Sequence, residues 1–191
     1  MTRRRQWPLA AAEAIIPELV GWLKTACTRV EVAGSIRRRR KMVSDIDVVV
    51  IPKFASEQLS LGGRGTSKGR SQLDKCLADM AFSELIHIQA NGAKIKRIVH
   101  LETGIPIDIY VAQDMVEWWP IWVIRTGSAG FNTKLCSWAK KKGWKLHASG
   151  EGLYKLGKRV EFKSERGFFR TMGIKYVPPE ERTDVALLQV R

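Results

Sequence analysis

Asp45 and Asp47 stand two residues apart where an apolar, β-branched run, IDVVVI at residues 46–51, begins. Residues two apart on a strand point to the same face, so both carboxylates face one way, and Ile46 and Val48 face the other, toward a core. Such a pair is costly unless it is solvated or neutralised by a cation. Divalent magnesium is the natural occupant, because it takes oxygen ligands and shares its coordination sphere with substrate phosphates. Ten residues before Asp45 stands Ser35, preceded by Gly34. Glycine lets a backbone come close to a phosphate, and the turn's amides and the Ser hydroxyl can donate to its oxygens. Arg37 to Lys41 add five positive charges. Taken singly, Asp-x-Asp reads as a solvated strand edge, and the basic run as a solvated loop or a localisation signal. Side by side they read as a triphosphate clamp next to a cation-binding strand, which is what nucleotidyl transfer requires. A third carboxylate is expected on a neighbouring strand. Asp108, between Ile107 and Ile109 in IPIDIYV, is the acidic residue embedded in another apolar strand.

Regular elements must hold these groups. Residues 9–26 have helical apolar spacing, with Pro17 either kinking one helix or opening a second. Val30 and Val32 predict a short strand running into Gly34. Residues 56–72 are rich in Gly, Ser and basic residues and read as a flexible surface loop; their glycines do not fit a phosphate-binding P-loop. Residues 72–82 return to helical spacing. Residues 94–101 and 106–111 predict two strands joined as a hairpin through Glu102, Thr103 and Gly104. The aromatic stretch 117–124, broken by Pro120, suits a packed junction. A helix is expected over 130–142, stopped by Gly143; one or two strands over 145–162; and a short helix over 164–173, capped by Ser164 and closed by Gly173.

Composition sets the bounds. The 191 residues are 45% apolar, enough for one domain or two small subdomains sharing a core. The net charge of +14 implies a polyanionic partner, most often nucleic acid. No apolar run of about 18 residues is present, so no membrane span is expected. Basic residues precede an apolar stretch at the N-terminus, but Glu13, Pro17 and Glu18 interrupt it, so it reads as a helix and not a signal peptide. Cys27, Cys76 and Cys136 are scattered, as are His87, His100 and His147. This argues against a disulfide framework or a zinc site and for a reducing compartment. The expectation is a cytoplasmic, viral or nucleoid-associated monomer, not secreted.

Gly34-Ser35 followed by Asp45-x-Asp47 resembles the signature of the polymerase-beta-like nucleotidyltransferases. Gly34-Ser35-Ile36-Arg37-Arg38 is similar to the form of that turn in family X DNA polymerases. Thr126-Gly127-Ser128, with Phe131-Asn132 after it, resembles the hinge of that family's nucleotide-selecting subdomain, and Tyr176 to Arg182, YVPPEER, resembles the end of its catalytic core. The resemblance covers residues 9–182. It implies an α+β fold: a nucleotidyltransferase palm, a mixed sheet with helices, over residues 1–112, and a small C-terminal α/β nucleotide-selecting subdomain over 113–191. It implies two magnesium ions, with manganese able to substitute, held by Asp45, Asp47 and Asp108, the last also accepting the proton of a primer 3′ hydroxyl. Gly34, Ser35, Arg38 and the backbone of Ser44 would hold the nucleotide's phosphates. Thr126 and Gly127 would line its sugar, and Asn132 would reach its base. Lys94, Lys96, Arg97, Lys140, Lys141 and Lys142 would grip DNA.

The activity implied is DNA-directed DNA polymerisation from dNTPs on a primer-template or gapped duplex, as in short-gap repair, by a catalytic core without lyase or phosphoesterase domains, like the family's smallest viral members. The chain departs from the family at four places. Ile124 and Arg125 replace an aromatic pair, Cys136 replaces an Arg four residues after the hinge Asn, Ser44 replaces a Gly, and Pro106 replaces an Arg. These leave room for two alternatives: template-independent transfer, or transfer to RNA, protein or a small molecule. A third possibility is a basic nucleic-acid-binding module with a relic site.

Overall fold

The computed structural model describes residues 5–54, 71–186 and 188–189. The loop expected over 56–72 lies outside them except for Ser71, whose hydroxyl caps a helix, and Gln72, which begins it. The chain runs β1 (Trp7–Pro8), α1 (Leu9–Ala26), β2 (Cys27–Val32), α2 (Gly34–Arg37), β3 (Met42–Val43), β4 (Ile46–Pro52), α3 (Gln72–Phe82), β5 (Ile86–Asn91), β6 (Ile95–His100), β7 (Pro106–Val111), α4 (Met115–Thr126), α5 (Ala129–Lys141), β8 (Trp144–Leu146), β9 (Leu153–Lys155), β10 (Lys158–Arg159) and α6 (Glu165–Met172), then a 3-10 turn (Pro179–Glu181). The fold is a mixed α+β one.

Five strands form one sheet in the order β2-β4-β7-β6-β5. Only β4 and β7 are parallel, and the other neighbours are antiparallel. Alternation along the strands sorts their two faces. Ile46, Val48, Val50, Ile107 and Ile109 pack against Leu19 and Leu23 of α1 and Leu73 and Leu77 of α3. On the opposite face Val49 and Tyr110 pack with Trp118 and Ile121 of α4. Asp47 and Asp108 share that second face, two residues before Val49 and Tyr110.

A separate core joins Val123, Phe131, Leu135, Leu153, Phe168, Phe169 and Met172. It is built from α5, α6 and the three-stranded sheet β10-β9-β8. The helix α6 begins and ends as its sequence predicts: the Ser164 hydroxyl accepts from the Gly167 amide at 2.9 Å, and Gly173 closes it at φ 70°.

Pro17 lies inside one continuous helix, α1, so no second helix opens there. Two expectations are corrected. Pro120 does not break the aromatic stretch. It sits inside α4, which Asp114 caps by accepting from the amides of Val116 and Glu117, and burial of Trp118, Ile121 and Val123 outweighs the lost helical hydrogen bond. Residues 86–91, for which no strand is expected, form the edge strand β5. Its sequence, IHIQAN, lacks clean alternation because a register irregularity interrupts its pairing between Ile88 and Ala90.

Candidate active site

The sheet register lines up the acidic groups. Asp47 on β4 is the direct partner of Asp108 on β7, and Asp108 is in turn the partner of Arg97 on β6. Asp45 sits in the turn entering β4. The Tyr110 hydroxyl donates to Asp108 Oδ2 at 3.3 Å, and Arg97 Nε lies 3.4 Å from Asp108 Oδ1. Burial and the neighbouring charge of Asp45 push the Asp47 carboxyl up to about 7. The nearby Tyr110 hydroxyl opposes the shift, Asp108 adds to it, and the charge of Arg38 opposes it. Tyr110 is itself raised, chiefly by burial and then by Asp47 and Asp108, so it serves as a neutral donor.

Gly34 is dictated by this arrangement. It opens α2 at φ +59°, and a Cβ placed there would stand 1.8 Å from Asp47 Oδ2. No other residue lets the turn lie against the carboxylate. Ser35 Oγ and Arg38 Nε are buried and have no hydrogen-bond partner among the described residues. Orphaned buried donors beside a glycine turn are those an anion would satisfy. Burial, then repulsion from Arg40, lowers the Arg38 pKa, and the charges of Asp47 and Asp184 oppose this. Arg38 donates to the Thr126 carbonyl. Gly127, at φ +72°, leaves room for it, since a Cβ would come 2.7 Å from Arg38 Nη1.

The hinge residues are tied to their own neighbours. Thr126 is fully buried, and its hydroxyl donates to the Trp122 carbonyl at 2.7 Å. It turns its carbonyl, not its side chain, toward Arg38. Asn132 donates its side-chain amide to the Ile124 carbonyl at 2.7 Å. Arg37 does not join the clamp. It grips Glu165 with two hydrogen bonds of 2.9 and 2.8 Å, donates to Thr126 Oγ1 at 2.6 Å, and lies over the Trp122 ring. Ser44 lies beside Asp45 and lines a cavity with it.

The basic residues divide as well. Lys96 is only 4% exposed, with its ammonium 2.5 Å from both Asp74 Oδ1 and Asn91 Oδ1. It cannot grip DNA from there; its place on the sheet put the side chain inward, which its residue type did not betray. Lys94 is exposed and paired with Glu151. Arg97 is exposed but aimed at Asp108. Lys140, Lys141 and Lys142 are exposed at the end of α5.

Sequence reasoning missed Glu165 altogether. It is buried and receives Arg37, Arg182 at 2.9 Å and the Tyr176 hydroxyl at 3.1 Å. Burial alone would raise its pKa, but hydrogen bonds from Arg37 and the charge of Arg182 hold it below the usual carboxylate range. No spacing marks it; only its partners in the GSIRR and YVPPEER segments do. Asp184, also missed, accepts from Ser128 Oγ at 2.5 Å and the Gly130 amide at 2.9 Å at the start of α5.

Residues 121–183 match the family model for the DNA polymerase beta thumb. The chain is also 27% identical over 152 residues to the DNA polymerase/3′-5′ exonuclease PolX of Bacillus subtilis (strain 168), a match covering 78% of this chain and 23% of that protein. The chain is thus similar to the beta-polymerase thumb over its C-terminal lobe and, at 27% identity, to that polymerase over most of its length. It spans about a quarter of the length of the curated relative it matches. The thumb match takes in α5, α6 and Glu165 with its partners Tyr176 and Arg182, while Arg37 and the carboxylates at Asp45, Asp47 and Asp108 lie N-terminal to it.

The donor set suits a hard divalent cation: carboxylates on one face, one of them raised by burial and by its acidic neighbours. Among the described residues, no three His, Cys, Asp or Glu side chains converge on a single ion position. Asp108 is instead engaged by Arg97 and Tyr110. Beside Asp45 and Asp108 opens a cavity of about 300 Å³. A larger one, about 700 Å³, lies on the other side of the sheet between α1 and α3, among residues that carry no part of this chemistry. Among the described residues no helix is long and apolar enough to cross a membrane.

Proposed function

We propose that this chain is a metal-dependent nucleotidyltransferase and, more narrowly, a DNA-directed DNA polymerase that adds dNMP to a primer 3′ hydroxyl, filling short gaps in repair. One observation carries the reading: Asp47 and Asp108 are register partners on adjacent parallel strands, with the Gly34 turn packed directly on Asp47. A phosphate-binding turn and an acceptor-activating carboxylate thus flank a single point.

Asp45, Asp47 and Asp108 would hold magnesium, or manganese in its place. Such ions, when bound, stabilise the attacking and leaving oxygens of an in-line displacement at phosphorus. The rest falls to the chain's own groups. Ser35 Oγ and Arg38, both with unsatisfied polar atoms, bind the β and γ phosphates, helped by the backbone of Ser44. Asp108 takes the proton of the 3′ hydroxyl, oriented by the Tyr110 hydroxyl. Gly127 and the Thr126 carbonyl shape the sugar side by fixing Arg38. Asn132 reaches the base only after releasing the Ile124 carbonyl. Lys140, Lys141 and Lys142 meet the DNA backbone, and the enzyme works as a monomer.

The test is extension of a primer across a one-nucleotide gap with magnesium and each dNTP separately, with Asp45→Ala as control. Templated addition that vanishes in the control is expected. Addition that ignores the template would favour a second reading, template-independent transfer. That reading draws on the engaged Asn132 amide and on Cys136, which packs against the C-terminal core.

A further inference from the structure

The nucleotide-holding turn and the small cavity lie on opposite sides of the carboxylate row. In the sheet order, β2 and the Gly34-Ser35 turn that follows it are on one side of β4, while β6 and β5 lie beyond β7. The cavity of about 300 Å³ opens on this second side, lined by Arg5, Trp7, Gln89 and Arg97 together with Asp45 and Asp108. If phosphates of the donor nucleotide come from the β2 side, the acceptor must come from the β5 side.

The wall of this cavity is built for a nucleotide unit. The Arg5 guanidinium lies 5.1 Å from the centre of the Trp7 ring, a flat cation stacked on a flat aromatic surface. Trp7 is pinned at both ends: its indole N–H donates to the Thr103 carbonyl at 3.3 Å, and its strand pairs with β3, placing it opposite Val43, two residues before Asp45. Gln89 falls at the irregularity in β5, between Ile88 and Ala90. Irregularities of this kind re-aim one side chain, here into the cavity. Arg97 stands exposed above Asp108. A strand-bound stacking platform, two guanidinium groups and an amide beside a proton-accepting carboxylate match a sugar, a base and a phosphodiester.

We propose that Arg5 and Trp7, carried on β1, form with Gln89 and Arg97 the seat of the acceptor strand's 3′-terminal nucleotide. The proposal rests on reading the carboxylate face as a nucleotidyl-transfer site. Trp7 carries the terminal base or sugar, Arg97 and Arg5 hold its phosphodiester, and the 3′ hydroxyl is left at Asp108. The N-terminal segment is thereby part of acceptor selection and not only a brace for α1.

Two measurements on the whole chain test this. In the first, 5-iodo-deoxyuridine is placed at the primer's 3′-terminal position of a recessed duplex, irradiated with the protein, and the cross-linked peptide is mapped. The Trp7-bearing peptide is the expected site; capture only elsewhere overturns the proposal. In the second, anisotropy compares a recessed 3′ end with a covalently closed dumbbell duplex. Arg5→Ala and Trp7→Phe, the latter keeping the packing, should weaken the recessed end about five- to tenfold and leave the dumbbell unchanged. Equal weakening of both, or none, overturns it. Wild-type protein that cross-links through Trp7 but shows no templated extension would sink the polymerase reading and keep the acceptor site. Templated extension without that cross-link would do the reverse.

Discussion

Asp47 and Glu165 are both enclosed carboxylates, and the protein drives them in opposite directions. Asp47 lies under Gly34 with Asp45 and Asp108 for neighbours, and its pKa rises to about 7. Glu165 is buried as well, yet it is held low because Arg37 and Arg182 close on it from two sides. The same chemical group is therefore a strut in one place and an unsatisfied charge in the other. The difference lies in what surrounds it: guanidinium groups that complete the Glu165 site within the chain, or further carboxylates that call for a cation from outside. Even the adjacent arginines divide this way. Arg37 is committed to Glu165, while Arg38 keeps a buried Nε without a partner among the described residues.

Removing a carboxylate from each region should give opposite results. Asp108→Ala is expected to lower single-turnover nucleotide addition by about 10³-fold or more, while urea unfolding stays at or above the wild-type midpoint because like-charge repulsion is relieved. Its DNA affinity should be unchanged or stronger. A variant that kept its activity would remove Asp108 from the chemistry and erase the contrast.

Glu165→Ala should do the converse. It strands two buried guanidinium groups and should cost about 3–5 kcal/mol of stability, read by urea denaturation. The pH dependence sharpens the point. The folded pKa of Glu165 lies below its unfolded value of 4.5. Its contribution is therefore complete above 4.5 and is lost as pH falls through the lower folded pKa, where the unfolded chain binds the extra proton. Glu165→Gln should flatten that part of the acid-unfolding curve. An unchanged slope would show that the arginines do not hold Glu165 ionised.

Gly34→Ala probes the other site's geometry. The added methyl would collide with Asp47 Oδ2 and strain a backbone at φ +59°. Addition should fall about 10²-fold, since small misplacements at a reacting centre cost that much. The penalty in stability should be about 1–3 kcal/mol, the range for a strained backbone conformation. Comparable activity in the variant would mean the turn does not set the position of Asp47.

Much of the carboxylate face was legible in the sequence because strand periodicity fixes side-chain direction: Asp-x-Asp and IPIDIYV each announce their face. The helix ends at Ser164 and Gly173 were legible through local hydrogen bonding and φ. What escaped was set by contacts between distant residues. Glu165 matters because Arg37 and Arg182 reach it across 128 and 17 positions of sequence, and no local spacing encodes that. Pro120 misled because a local rule about backbone donors was outweighed by aromatic burial on α4. The inward turn of Lys96 depended on Asp74 and Asn91, which arrive from α3 and β5.

The smallest expected effect carries the same contrast over to cations. Lys96 is enclosed by Asp74 and Asn91, whereas Lys140 and Lys141 stand exposed at the end of α5. If exposed lysines meet phosphate, the double variant Lys140→Ala/Lys141→Ala should reduce the steepness of log K against log salt for DNA binding by about 1–2, close to 0.9 for each phosphate released. Lys96→Ala should leave that slope alone and instead lower stability by about 1–3 kcal/mol, through the polar partners it abandons. A salt slope that moved with Lys96 and not with the α5 lysines would reverse the assignment. It would place a DNA path over the α3 side of β6, and partner-completed charges would no longer be distinguishable from those left for a ligand.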